Sequence, residues 1–304
     1  MYKLLLENSL KESTNLINEG IDADFYQVML GDILKDKIKS FIGHHIAEVQ
    51  PMMQPSGYVF ARQETQDTFK IIKKQIDVDT NKSIIKISQE AWEDLLNLSN
   101  LNKAGNEQTP ELFINWVKSS AAHKETEKII NLIKENAVES VGIVLDDAND
   151  SKQNAETNLF HISKKVNDLV IKMNSPNFRT YDSFCILPQT GVGGILSLSF
   201  TYSRIDDSTD ENRANDYFLG KINNTRYYLN PNPDDNNAYV GLKSHKEKGV
   251  NSLIYSPYCM NLTTAYNYQS GERTVGIFTR NAYTIHPLHS KTTPMLYKFT
   301  ITEA

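Results

Sequence analysis

PELFINWVKSSAAHKETEKIINLIKENAV, residues 110–138, is the longest stretch of the chain that reads as one helix. Thr109 is a good N-cap, and Pro110 suits the first helical position, where a missing N–H costs nothing. Behind them Phe113, Val117 and Ala121 fall at spacing four. Ala122, Thr126, Ile129, Ile133 and Ala137 continue at spacings four, three, four and four. The phase slips near the charged run His123 to Lys128, so the buried stripe shifts partners there. As a single helix the stretch is roughly 40 Å long, against about 11–12 residues for an average globular helix. Periodicity alone favours an ordinary core helix, whole or broken in two. What such an element organises must be read from its flanks.

On the N-terminal side, Ser88 caps a short helix running to about Leu98, with Trp92, Leu95 and Leu96 on its apolar side, and Asn100 to Gln108 is a loop. Before it, Phe69–Val78 and Ser83–Ile87 are rich in Ile and Val, interleaved with Lys70, Lys73, Lys74 and Lys86. Asp79-Thr80-Asn81-Lys82 between them is good turn chemistry, so a long two-stranded hairpin is expected. Lysines throughout prevent both faces from being buried in the chain's own core, and the hairpin is expected to project toward neighbours. Residues 48–62, EVQPMMQPSGYVFAR, take an extended, turning path through Pro51, Pro55 and Gly57 before Tyr58, Val59 and Phe60 begin a strand. In residues 1–47 the apolar anchors Leu5, Leu6, Leu16, Ile17 and Ile21 are scattered. A helical pattern, Val28, Ile33, Leu34, Ile38, Phe41 and Ile42, ends at Gly43. This segment is either an arm laid across a partner or a plain helical hairpin on the core.

On the C-terminal side, Val141–Leu145 reads as a buried strand. Leu159, Ile162, Val166, Leu169, Val170 and Met173 form a clean amphipathic helical stripe, and Ser183–Leu187 is a strand stopped by Pro188. This strand–helix–strand order argues for an α/β subdomain. Further strands are expected near Gly220–Ile222, Arg226–Leu229, Ala238–Leu242, Ser252–Tyr255, Val275–Thr279 and Leu296–Ile301. Asp206, Asp207, Asp210 and Glu211 form an exposed acidic loop.

The totals bound the class of protein. At 304 residues the chain is one large domain or two ordinary ones, and a net charge of −5 gives no support to a nucleic-acid-binding surface. Two cysteines, Cys185 and Cys259, are too few for a disulfide scaffold, Leu4–Leu6 is too short for a signal peptide, and no membrane span is visible. A cytosolic product is expected. Asp77-Val-Asp79-Thr-Asn81 starts like a calcium loop, but Lys82 and Ser88 stand where its glycine and bidentate glutamate belong. Gly191, Gly193 and Gly194 lack the Lys-Ser/Thr of a phosphate loop. His44, His45, His286 and His289 have no companions at zinc-ligand spacing, and no nucleophile elbow or His-Glu-x-x-His is present. No catalytic, cofactor-binding or metal-binding residue is expected, and no cofactor; the chain reads as a structural, self-assembling protein rather than an enzyme.

Four segments then carry a resemblance. Val49-Gln-Pro-Met-Met-Gln-Pro-Ser-Gly-Tyr-Val-Phe-Ala61 resembles the Val-Gln-Pro-Met-x-Gly-Pro-Thr-Gly-Leu-Ile-Phe-Ala segment of the major capsid proteins of T-even-type tailed phages. Ser88 to Leu101 followed by the long helix is similar to that family's entry into its spine helix. Gly220-Lys-Ile-Asn-Asn-Thr-Arg-Tyr-Tyr-Leu-Asn-Pro231 with Ala238-Tyr-Val-Gly241 resembles its Gly-x-Leu-Asn…Val-Tyr-x-Asp-Pro run. Leu253-Ile-Tyr-Ser-Pro-Tyr258 with Val275-Gly-Ile-Phe-Thr-Arg-Asn-Ala-Tyr283 resembles its ending. The matches run in the family's order over roughly Val49 to Pro287. The chain departs from the pattern at Gln54, where the family has Gly, and it has no room for the extra domain inserted in the family's extended loop.

The resemblance implies an α+β, HK97-like phage capsid fold. Residues 1–47 would be the N-terminal arm and 58–88 the extended β-hairpin loop. Residues 48–57, 89–140 and 272–304 would form the peripheral domain with the spine helix, and 141–271 the axial α/β domain. It implies a virion protein, assembled in the host cytoplasm, that forms hexamers and pentamers of an icosahedral shell around packaged double-stranded DNA. Scaffold, portal and a prohead protease would be its partners during assembly, and no membrane is involved. The family is trimmed after Ile/Leu-x-Glu, which Ile17-Asn18-Glu19, followed by Gly20, fits; Leu5-Leu6-Glu7 fits too. Lys70, Lys73, Lys74 and Lys86 on the hairpin, facing an acidic loop bearing Asp206 and Asp207, are the expected assembly contacts. A pentamer-only vertex protein and an encapsulin-like nanocompartment shell are alternatives on the same fold. A hydrolase with dispersed catalytic residues is the alternative from another class.

Overall fold

The computed structural model describes residues 3–9, 41–64, 69–91, 93–94, 111–145, 152–174, 181–189, 217–244, 247–266, 269 and 272–303. In chain order its elements begin with helix α1 (Ile42–Ile46) and strands β1 (Glu48–Val49), β2 (Ser56–Glu64), β3 (Phe69–Asp77) and β4 (Asp79–Ile87). The long helix α2 (Glu111–Asn136) follows, then β5 (Val138–Glu139), β6 (Ile143–Leu145), helix α3 (Lys152–Asn174) and β7 (Ser183–Leu187). The remainder is β8 (Phe218–Ile222), β9 (Thr225–Leu229), β10 (Asn237–Leu242), β11 (Leu253–Tyr266), β12 (Arg273–Ile285) and β13 (Leu296–Glu303). Residues 3–9 are also helical.

The stretch at 110–138 is one helix of 26 residues, ending at Asn136 rather than Val138, which already belongs to β5. The second half of its predicted stripe, Ala122, Thr126, Ile129, Ile133 and Ala137, is buried throughout. Glu125, inside the charged run His123 to Lys128, is 1% exposed. The phase slip has its physical reason here. Glu125 lies three residues after Ala122 and four before Ile129, on the buried face, so the stripe continues through a polar residue.

Two larger sheets carry the fold. One has four strands in the order β1-β11-β12-β4; the other runs β5-β13-β10-β7-β9-β8, with β6 also beside β13. All five residues of β7 are buried because both faces of the second sheet are covered. Cys185 and Leu187 pack with Leu159, Ile162, Val166, Leu169, Val170 and Met173 of α3, the whole predicted stripe. Phe184 and Ile186, on the opposite face, pack with Phe41 and Ile42 and with Ile129, Ile130 and Ile133 of α2. α2 lies over the four-stranded sheet along β12 and β4.

Several expectations are corrected. The strand Phe69–Asp77 does not pair with 83–87; its partner is β2, in nine registered pairs from Ser56↔Asp77 to Glu64↔Phe69. Only Val78 separates β3 from β4, too little for a hairpin turn. Asp79–Lys82 is therefore strand, and β4 crosses to β12, where Asn81 Nδ2 donates to Asn281 Oδ1 at 2.9 Å. Val141–Leu145 is not a buried strand: Val141 and Val144 are 81% and 66% exposed at a sheet edge, and β6 pairs in parallel with β13, not with β7. Gly43 does not end a helix but sits inside α1, where a Cβ would meet the Phe41 ring at 2.3 Å. Leu296–Glu303 hydrogen-bonds to β10 in the seven-stranded sheet, and Leu253–Tyr266 lies in the four-stranded one. The cap at Ser88 is present, its Oγ accepting from Ala91 N–H at 3.2 Å.

Candidate assembly surface

Among the described residues β2 and β3 pair only with each other and form a sheet of their own. Along β2 the side chains alternate: Val59 and Ala61 are buried against the subunit, while Tyr58 is 58% and Phe60 46% exposed. The register puts Gln75, Lys73 and Ile71 opposite Tyr58, Phe60 and Arg62, on the outward face. Ile71 is 56% exposed, and the Lys73 ammonium lies 6.0 Å from the Phe60 ring centroid. A two-stranded ribbon is marginal by itself in water, and one with an apolar outer face gains stability when something covers it.

The hairpin does not stand clear of the molecule. The free edge of β2 is clasped to its own subunit. Gln50 Nε2 donates to the Phe60 carbonyl at 2.8 Å and Gln50 Oε1 accepts Phe60 N–H at 2.9 Å. Arg62 N–H reaches the Gly249 carbonyl at 2.7 Å, and the Arg62 guanidinium pairs with Glu247. Behind these lies the buried carboxylate of Glu48. Its Oε2 accepts Gly249 N–H at 2.6 Å and Asn251 Nδ2 at 2.7 Å; its Oε1 accepts Gln50 Nε2 at 2.9 Å.

The expected assembly lysines separate. Lys70 and Lys73 are exposed on the hairpin. Lys74 is turned to its own subunit, donating to Thr284 Oγ1 at 2.7 Å, and Lys86 lies on β4, 3.7 Å from Glu272. Asp206, Asp207, Ile17, Glu19 and Gly20 lie outside the described residues. The N-terminal helix at 3–9 docks on its own chain: Leu5 is buried, Asn8 Nδ2 donates to the Met52 and Tyr258 carbonyls at 2.9 and 3.0 Å, and Ser9 Oγ accepts Met260 N–H at 2.9 Å.

His286 supports the clasp, and Lys243 lies beside it. His286 Nδ1 accepts Leu288 N–H at 3.2 Å, so its ring is neutral and Nε2–H donates to the Gly249 carbonyl at 2.9 Å. Burial holds this imidazole below the ordinary histidine range, against the Gly249 bond and the Glu48 charge. His289 accepts Met295 N–H at 3.0 Å on Nδ1 and caps the last carbonyl of α2, Asn136, at 2.9 Å through Nε2. Lys243 Nζ donates to the Ala47 carbonyl at 2.5 Å, and burial depresses its pKa to about 8. None of Glu48, Gln50, Lys243 or Gly249 was singled out from the sequence. The available signal was Glu48 and Gln50 two apart, on one face of a short strand ahead of Pro51.

Among the described residues no group of three or more His, Cys, Asp or Glu gathers to hold a metal. Burial pushes the Cys185 thiol far above its ordinary range, which leaves it a packing residue. No helix among the described residues is long and apolar enough to cross a membrane.

A family model described as "Major capsid protein Gp23" matches residues 62–301. The chain belongs to that family. No curated protein matches it in sequence. Its structure is similar to a virus-like particle from Pyrococcus furiosus, with a TM-score of 0.52 at 9% identity over 91% of this chain and 100% of that one. It is also similar to the satellite phage P4 procapsid (TM-score 0.48, 8% identity, 89% and 99% covered) and to the capsid of the cyanophage P-SCSP1u (0.47, 9%, 88% and 89%). At 9% identity the archaeal likeness is one of fold alone. The fold is the α+β, HK97-like capsid fold expected from the sequence, and α2 is the long helix it was read to contain. As a Gp23-type major capsid protein, the chain is a structural component of a virion shell that associates with copies of itself.

Proposed function

We propose that the chain forms hexamers and pentamers that tile an icosahedral head around double-stranded DNA, with the outward face of the β2–β3 hairpin as a principal contact between copies. The observation that carries this is the exposed set Tyr58, Phe60 and Ile71 on a two-stranded sheet that no third strand or helix of the chain covers among the described residues. Lys73 lies on that face and suits an acidic partner surface such as the loop bearing Asp206 and Asp207 on a second copy, with Lys70 exposed on the same strand. The division into arm (1–47), extended loop (58–88), peripheral and axial parts is retained on this reading. A net charge of −5 suits a container that does not grip its contents. Scaffold, portal and a protease acting after Glu19 would be partners of assembly in the host cytoplasm.

Negative-stain microscopy of the purified full-length chain, beside a Tyr58→Ser/Phe60→Ser variant, tests the contact. The wild type is expected to form shells, rings or sheets; the variant, with the same circular dichroism spectrum, is expected to stay as small particles. Equal assembly by the two would remove the hairpin face from the interface.

A further inference from the structure

β3 takes one edge of β2, so the backbone groups of Phe60 and Arg62 on the other edge must find partners elsewhere. Among the described residues no strand provides them. A side chain does so for Phe60, since the Gln50 amide both donates to and accepts from its backbone at 2.8 and 2.9 Å, as a neighbouring strand would. The second amide hydrogen of Gln50 goes to Glu48 Oε1 at 2.9 Å, so both hydrogens of that amide are committed. Arg62 N–H is received by Gly249, whose own N–H ends on Glu48 Oε2 at 2.6 Å. Both receivers of the hairpin edge are thus set by one carboxylate, which is 5% exposed.

We propose that Glu48 and Gln50 are positioning residues for shell assembly: one carboxylate, acting through one amide, sets the angle at which the hairpin presents its Tyr58–Phe60–Ile71 face to a second copy. This rests on the reading of that face as an assembly contact. The apolar seat under Val59 and Ala61 supplies adhesion without direction, because burial of apolar surface is non-directional. Hydrogen bonds have preferred angles, and those of the clasp are the ones that orient the ribbon. At its base, where Val78 N–H bonds the Pro55 carbonyl at 2.9 Å, the ribbon joins the rest of the chain through residues 50–55 on one side and Val78 alone on the other. From there to Arg62 is about 20 Å of strand, so a swing of about 10° displaces the clasped end by about 3–4 Å. A shift of that size is enough to break the register of one packed surface on another. Releasing the clasp needs rotation of the Gln50 side chain and parting of Arg62 from Gly249 and Glu247. Neither the β2–β3 ladder nor the four-stranded sheet has to open.

The test uses the full-length chain with Gln50→Ala, Glu48→Gln as a second variant, and Tyr58→Ser/Phe60→Ser as the separate probe of the contact itself. Amide hydrogen exchange in the unassembled subunit is expected to speed up about tenfold or more at Phe60 and Arg62. Ala61, which pairs with Ile72 across the hairpin, is expected to keep its protection. Particles of Gln50→Ala are expected to form with a broadened distribution of diameters, whereas the Tyr58/Phe60 variant loses particles altogether. Unchanged exchange at Phe60 and Arg62 would overturn the clasp, and accelerated exchange with an unchanged diameter distribution would overturn its positioning role. If the Tyr58/Phe60 variant assembles normally, the contact reading fails, while the exchange data still decide the clasp.

Discussion

Tyr283 on β12 donates its hydroxyl to Glu125 on the underside of α2 at 3.0 Å, and Thr279, four residues earlier, donates to the other carboxylate oxygen. The spine helix is therefore seated on the four-stranded sheet through a buried acid as well as through apolar packing. Burial, reinforced by the Glu125 charge, holds the Tyr283 phenol well above its ordinary range. Tyr283→Phe leaves the buried carboxylate short of one donor and is expected to lower unfolding stability by about 1–3 kcal/mol. Urea denaturation measures the loss. A change within error would mean that water replaces the hydroxyl at no cost.

His286 predicts a pH dependence. Its folded pKa is depressed, so the unfolded chain takes up the proton first as pH falls. The stability contributed by the neutral ring is fully present above about 6.5, the ordinary histidine value, and is lost as pH falls from there through the folded pKa. The charged and titratable groups acting on the ring are Glu48 from β1, which favours protonation, and His289, which opposes it. Melting temperature is expected to fall between pH 7 and pH 5, and His286→Gln is expected to flatten that slope. Equal slopes for the two proteins would assign the effect to other groups.

Lys243 predicts the opposite end of the scale. Its ammonium is depressed from 10.5 to about 8, so the unfolded chain binds more protons between those values and stability rises with pH across that window. Holding the charge in place at pH 7 costs roughly 3 kcal/mol by the size of that shift, offset in part by the bond to Ala47. Lys243→Met is expected to match or exceed the wild type at pH 7 and to lack the rise in melting temperature from pH 8 to pH 9.5. Thermal melts at these pH values check both parts.

What could be read from the sequence follows from which forces are local. The stripes of α3 and of the second half of α2 are periodic because one face of each helix is buried, and they are legible residue by residue. SFCIL at 183–187 reads as a strand because cover on both faces makes it continuously apolar. The hairpin was mispaired because Phe69–Asp77 is flanked by two nine-residue strands, and Asp79–Lys82 offers the better local turn. The deciding contacts, such as Asn81 to Asn281, span 200 positions. The burial of Glu125 is not legible because a carboxylate in a charged run reads as solvated unless its hydroxyl donors on another strand are known. The clasp was invisible for the same reason: Glu48, Gln50 and Gly249 have meaning only once β1 and the 247–251 loop are brought to the edge of β2.

Gly249 is the point where these threads can be tested together. Its φ is +82°, a left-handed conformation that costs other residues about 1–2 kcal/mol. A Cβ there would stand 3.0 Å from Arg62 Cβ and 3.1 Å from Arg62 N, against backbone that is already hydrogen-bonded to the Gly249 carbonyl. Strain and steric contact act in the same direction, and both fall on the clasp rather than on either core. Gly249→Ala is expected to lower stability by about 1–3 kcal/mol. Amide exchange at Arg62 should accelerate more than at Tyr239 or Val240, in the centre of the seven-stranded sheet. A uniform acceleration across all three sites would show that the 247–251 loop is coupled to global unfolding and does not act locally on the hairpin.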